Sequence, residues 1–267
     1  MGEEILASSL FGDLVAMQQN TLIECTPRLL PVFFRSFPFL NFIPRGKNPH
    51  AANTLGNKKK YRIANTNTLG YHFRRYNTFQ SRQGWLVPDP EKASRFREHY
   101  RQKFGEKLRI GIGWKSARTA ASARHRKNID HNALAPLLTH PNGACVSLQY
   151  GDISVDIDRL RAHTGADLYV DPQVNVTDDL DSLIAQIVSL DLVISTSNLA
   201  VHMAGALGIL CWLLLRKQQL LMWCWDYPGT PCHWYPNIVR FRLDGALPEQ
   251  EALANIVAEL RNRLDTF

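Results

Sequence analysis

No stretch of the 267 residues approaches the ~18–20 consecutive apolar residues that a bilayer-spanning helix needs. The longest apolar run, Ile209 to Leu215, is the length of a strand and is followed by Arg216 and Lys217. A secretory leader would place basic residues near the start, where this chain has Glu3 and Glu4. Cysteine is sparse. The five residues Cys25, Cys145, Cys211, Cys224 and Cys232 are odd in number and form no zinc-binding spacing. Cys25, Cys145 and Cys211 lie in or beside apolar runs and read as small core residues. A reducing, cytoplasmic setting is expected, with peripheral contact at a membrane surface as a further option. No internal repeat, low-complexity segment, helix-turn-helix, zinc finger or RNA-binding sheet motif is evident. The net charge of +7 and the basic runs at Asn57–Arg62 and Arg118–Lys127 therefore argue for solvated surface, an anionic substrate or membrane headgroups. The absence of any recognition motif beside these runs argues against a nucleic-acid partner.

The composition that remains is that of a globular α/β protein, 45% hydrophobic and 21% charged, long enough for one large or two medium domains. Periodicity predicts a helix over Glu4–Met17, a strand at Thr21–Cys25 and a helix opened by Pro27. A strand follows at Phe39–Ile43, a loop over Pro44–Asn67 and a helix over Thr68–Tyr76. Val87-Pro88-Asp89-Pro90 reads as a hinge before a charged helix, Glu91–Phe104. The second half is more regular. Strands are expected at Leu108–Gly113, Ala144–Leu148, Leu192–Ile194, Leu210–Leu215 and Ile238–Phe241. Helices are expected at Asn132–Leu138, Asp156–His163, Asp179–Val188 and from Pro248 onward, with Thr177 and Asp178 capping the third of these. Strands alternating with helices imply βαβ units and parallel sheets.

The most informative segment is Asp191 to Gly208. Leu192–Ile194 is an apolar run suited to the interior of a parallel sheet. Ser195 to Asn198 are hydroxyl and amide residues at its carboxyl end, and Ser197 or Asn198 can cap the helix that follows. The first turn of that helix offers backbone N–H groups and a positive dipole end, a natural phosphate site. His202, four residues after Asn198, projects from the same face. A strand, cap and helix with no ligand, and a structural histidine, is the bland alternative.

Taken together and in order, several segments resemble the C-terminal and N-terminal domains of GT-B glycosyltransferases. They are Gly2-Glu3-Glu4-Ile5, Glu24–Leu29, Arg35–Pro38, Gly111–Lys115, Ser147–Asp152, Asp178–Ala185, Asp191–Gly208 and His233–Pro236. The nearest likeness is to the heptosyltransferase-like glycosyltransferase family nine and its bacterial relatives fused to tetratricopeptide repeats. The resemblance implies two Rossmann-like domains with parallel sheets and a cleft between them. Residues 1–88 would form an incomplete acceptor-side domain lacking the first strand, and residues 89–267 the nucleotide-sugar domain. It implies transfer of a hexose or heptose from a nucleotide-diphosphate sugar to a hydroxyl of a saccharide, lipopolysaccharide or protein acceptor. The reaction would be inverting and free of metal and cofactor; no Asp-x-Asp motif is read as a metal site.

By the same resemblance, Ser197, Asn198 and the N–H groups of Leu199 and Ala200 would hold the donor diphosphate, and His202 a phosphate or the sugar. Lys115 would neutralise charge on the leaving group, with Trp114, Gln149 and Tyr150 at the donor. Glu3 would be the general base, in place of the family's aspartate. Without the resemblance, Lys115 is a surface lysine at a strand end, and Glu3 a carboxylate stabilising a helix dipole. Trp223-Cys224-Trp225 stands where relatives carry an arginine between the tryptophans. Together with the missing strand, this motivates the alternative of a degenerate domain that binds a nucleotide or protein without turnover.

Overall fold

The computed structural model describes residues 1–16, 21–46, 62–65, 83–116, 127–175, 179–216, 223–225, 232, 234–243 and 247–267. Two parallel sheets organise them. In the first, β1 (Thr21–Cys25) lies between β2 (Asn41–Pro44) and β3 (Arg62–Asn65). The second contains β4 (Leu108–Gly113), β5 (Gly143–Ser147), β6 (Leu192–Thr196), β7 (Cys211–Arg216) and β8 (Ile238–Leu243), in the spatial order β5-β4-β6-β7-β8. All of its pairings are parallel.

The central strands of the second sheet are covered on both faces, which is why they read as unbroken apolar runs. Alternate residues feed two cores. Val193, Leu213 and Leu215 face one; Leu192, Ile194, Trp212 and Leu214 face the other. The second core is closed by α5 (Ala135–Leu138), α6 (Ser154–Thr164) and α9 (Glu249–Leu264). The first is closed by α4 (Pro90–Phe104), α7 (Leu180–Ile187) and α8 (Leu199–Leu207). It continues without a break into α1 (Gly2–Ser8), α2 (Phe11–Ala16), α3 (Leu30–Ser36) and the first sheet, through Ile5, Leu10, Phe11, Ile23 and Phe33.

Side-chain bonds also join the two sheets' surroundings. Arg35 of α3 donates to Asp181 of α7 through Nη2 at 2.5 Å and to the Val87 carbonyl through Nε at 2.8 Å. Close to this, Lys92 pairs with Asp179 at 2.6 Å.

Several boundaries differ from expectation for identifiable reasons. The first helix is broken in two. The Ser8 and Ser9 hydroxyls donate to the Ile5 and Leu6 carbonyls at 2.7 Å, taking up acceptors that would continue the helical ladder. Asp179 caps α7, accepting from the Ser182 N–H at 3.1 Å and the Ser182 hydroxyl at 2.6 Å. This assigns to Asp179 the capping role expected of Thr177 and Asp178, which lie outside the described residues. Pro27 opens a 3-10 turn, Pro27–Leu29, ahead of α3. The expected loop over Pro44–Asn67 contains β3; a four-residue strand with one β-branched residue, Ile63, is too short to announce itself by pattern. The helix expected at Thr68–Tyr76 and most of both basic runs lie outside the described residues.

Candidate active site

In the second sheet the chain leaves β4 toward β5 on one side, whereas β6 leads to β7 on the other. Connections that part in this way leave a crevice at the carboxyl ends of β4 and β6, where open α/β sheets receive ligands. Lys115 follows β4 there, and Ser197 and Asn198 follow β6.

Asn198 is the cap of α8. Its Oδ1 accepts from the Ala200 N–H at 3.0 Å and from the Ser195 hydroxyl at 3.1 Å. Its Nδ2 donates to the Lys115 carbonyl at 3.2 Å, tying the two strand ends together. This approach requires a glycine on β4. A Cβ at Gly113 would stand 2.4 Å from Ser195 Oγ and 2.9 Å from Asn198 Nδ2. The Ala200 N–H is therefore engaged by the cap. Ser197 Oγ accepts from the Trp225 indole N–H at 2.9 Å.

The segment after β4 is held from the other side. Gln149 Oε1 accepts from the N–H groups of Trp114 and Lys115 at 3.2 and 2.8 Å, and its Nε2 donates to the Lys115 carbonyl at 3.2 Å. The Tyr150 hydroxyl donates to the Ser116 carbonyl at 3.0 Å. These residues, expected at the donor, apply their polar atoms to the shape of the loop beside it. The Trp114 side chain lies in the core on the α9 side, with its ring 5.8 Å from that of His131. The Lys115 ammonium is ion-paired with Asp156 of α6.

His202 is turned inward. Its Nδ1 lies 2.9 Å from the Tyr235 hydroxyl, and its ring sits 5.2 Å from that of Trp225. Burial, with smaller contributions from Lys127 and the chain's amino terminus, lowers its pKa to about 3. The imidazole is thus neutral at physiological pH. Its other edge meets α1 so closely that a Cβ on Gly2 would fall 2.7 Å from His202 Cδ2.

Glu3 is exposed on the first turn of α1. It lies near enough to Cys224 to add to the upward push on that thiol, which burial and then Cys232 dominate. The neighbouring Glu4 is the buried carboxylate. It accepts from the Thr26 N–H and hydroxyl at 2.9 and 2.6 Å and from Arg45 at 2.9 Å. Burial opposes its charge, but these donors and the chain's amino terminus together hold its pKa below the usual carboxylate value.

Sequence reasoning missed Lys127, which it read only as the end of a surface charge run. The Lys127 carbonyl accepts from the Thr196 hydroxyl, and its charge acts on both His202 and Cys224. The residue therefore flanks the end of β6. Two Asp-x-Asp triplets do occur, Asp156-Ile157-Asp158 and Asp179-Leu180-Asp181, but Asp156, Asp179 and Asp181 pair with Lys115, Lys92 and Arg35. No cluster of three or more metal-ligating side chains is present among the described residues.

No family model matches the chain. Protein FlbA of Caulobacter vibrioides is 26% identical over 250 residues, an alignment covering 89% of this chain and 41% of FlbA. The chain thus spans less than half of that relative. Among solved structures, the crystal structure of the glycosyl transferase family 9 from Veillonella parvula superposes with a TM-score of 0.62 at 10% identity, covering 99% of this chain and 94% of that one. The E. coli ADP-heptose lps heptosyltransferase II superposes with a TM-score of 0.61 at 14% identity, covering 98% and 95%. At these identities the likeness is one of architecture: the chain has the α/β fold with parallel sheets of GT-B glycosyltransferases.

Proposed function

We propose that this chain is a glycosyltransferase acting on a nucleotide-diphosphate sugar. The observation that carries the reading is the joining of the β4 and β6 ends by Asn198, which places the N-terminus of α8 at the switch point of the sheet. A diphosphate there meets the positive end of the α8 dipole, the Ser197 hydroxyl and the Leu199 N–H. Lys127 and Lys115 supply cationic charge nearby, Lys115 on release from Asp156. Residues 89–267 would carry the donor, and residues 1–88 the face approached by a saccharide, lipopolysaccharide or protein hydroxyl. The work would be done in the cytoplasm or at the inner membrane surface.

In the reaction, Glu3 accepts the proton of the acceptor hydroxyl as its oxygen bonds to the anomeric carbon. The bond from that carbon to the diphosphate oxygen breaks on the opposite face, inverting the centre, and the electron pair leaves with the diphosphate. Fixed positive groups stabilise the charge that develops on this leaving group, without a metal.

A second reading is a binding domain without turnover. It is favoured by the Lys115–Asp156 pair and by the commitment of Gln149 and Tyr150 to loop structure.

Calorimetric titration of uridine, adenosine, guanosine and cytidine diphosphates, against wild type and Asn198→Ala, tests the shared part. One nucleotide is expected to bind, and to bind at least tenfold more weakly to the variant. Binding of none by the folded wild type overturns the glycosyltransferase reading and, of the second reading, a nucleotide-binding role. Hydrolysis or transfer of the matching nucleotide sugar, lost in Glu3→Gln, separates the enzyme from the binding domain.

A further inference from the structure

Trp225 and Ser197 meet in a way that fixes the direction of a buried proton. An indole N–H only donates. At 2.9 Å from Ser197 Oγ it obliges that oxygen to accept, so the serine's own proton points elsewhere. Ser197 is 2% exposed, and among the described residues its proton has no acceptor. A buried donor of this kind calls for an acceptor brought from outside.

The tryptophan that sets this direction is itself held. Its carbonyl accepts from Arg240 Nη1 at 2.8 Å and from Arg242 Nη2 at 2.7 Å, two residues on one face of β8. The ring is clamped between neighbours, with centroids 5.2 Å from His202 and 5.9 Å from Tyr235. Rotation of the indole away from Ser197 would break these contacts.

We propose that Trp225 is a positioning residue: its indole N–H orients the Ser197 hydroxyl as a donor to an anionic oxygen bound at the N-terminus of α8. Arg240 and Arg242 set the position of Trp225 through its carbonyl. This rests on the donor-site reading above and adds the polarity of the site. It favours a ligand atom that only accepts, such as a phosphate oxygen, over a hydroxyl or amine that must also be accepted from.

The test uses pyrophosphate and the four nucleoside diphosphates as probes, titrated calorimetrically into wild type, Trp225→Phe, Ser197→Ala and the double variant. Trp225→Phe keeps an aromatic ring at the site and removes the N–H, together with the five-membered ring that carries it. Each single variant is expected to weaken binding roughly five- to tenfold, and the double variant no more than Ser197→Ala alone. Multiplying losses in the double variant would show that the ring acts through packing and would overturn the proposal. Unchanged affinity in Trp225→Phe would overturn it while leaving the donor site intact. Failure of wild type to bind any probe would instead overturn the donor site, and the proposal with it. If Trp225→Phe does not fold, the indole 15N–1H resonance of wild type decides the matter. A shift of the Trp225 signal on adding pyrophosphate, absent in Ser197→Ala, supports the relay, and no shift overturns it.

Discussion

The imidazole of His202 and the phenol of Tyr235 are held 2.9 Å apart in a wholly buried contact between α8 and the segment leading into β8. Both rings also lie against Trp225, so the histidine belongs to the frame behind the candidate donor site.

Its titration gives a first prediction. Burial holds the folded-state pKa of His202 at about 3, below the ordinary imidazole value of about 6.5, so the unfolded chain binds the extra proton first as pH falls. The stability linked to this group is complete above about pH 6.5 and declines toward pH 3, by up to about 1.4 kcal/mol per pH unit. Urea unfolding of wild type is expected to lose more stability between pH 7 and pH 4.5 than His202→Gln does over the same interval. Equal losses would show that the imidazole is protonated in the folded state.

Glu4 carries a pH dependence of the same sign from a different cause. Its carboxylate is held ionised by Thr26 and Arg45 despite burial, so its contribution is present above pH 4.5 and fades as pH falls below that value. Glu4→Gln removes a charged acceptor from Thr26 and Arg45 and should cost about 2 kcal/mol at pH 7. The measurement is the urea midpoint of the two proteins at pH 7 and pH 4, where the gap should narrow.

Gly113 tests the joining of the strand ends. In Gly113→Ala the new methyl meets Ser195 Oγ and Asn198 Nδ2, and the bond from Asn198 to the Lys115 carbonyl must lengthen or break. A stability loss of about 1–3 kcal/mol is expected, together with weaker nucleotide-diphosphate binding. Normal binding affinity in this variant would show that the cap geometry is irrelevant to the ligand.

The Arg35–Asp181 pair connects α3 to α7 with both side chains mostly shielded from solvent. A double-mutant cycle with Arg35→Met and Asp181→Asn should return a coupling of about 1 kcal/mol in thermal unfolding. A coupling near zero would indicate that the contact contributes nothing to holding the helices together.

The five thiols are buried and free, and burial raises the pKa of Cys25 and Cys145 to about 12. A low thiolate fraction and lack of access both slow attack on a disulfide reagent. Labelling with such a reagent should be far slower in native buffer than in urea, where it should become complete.

Local signals made part of this site legible in the sequence. The apolar run of β6, the capping asparagine and the small-residue helix ending at Gly208 are written within one short segment, so the strand, cap and helix were accessible to pattern. What pattern does not carry is a partner distant in the chain. Nothing in Gln149-Tyr150 tells that both side chains turn back on the Lys115 loop, because that requires β4 and β5 to be neighbours. Lys127 looks like one more cation in a basic run until the Thr196 hydroxyl is seen at its carbonyl. The break after Ser8 was equally hidden, since a serine mid-helix either points outward or bonds backward, and tertiary contact decides which. Here the Trp85 indole N–H donates to Ser8 Oγ at 2.9 Å and holds it in the bonded position.

The apolar core that runs from Phe33 and Ile23 through Ile5 to Val201 and Val193 is one continuous cluster reaching both sheets. Melting either half exposes the apolar wall of its neighbour. The described elements are therefore thermodynamically a single unit: a calorimetric scan should trace one endotherm, with the van't Hoff enthalpy equal to the heat absorbed. Limited proteolysis should not liberate either sheet as a stable fragment.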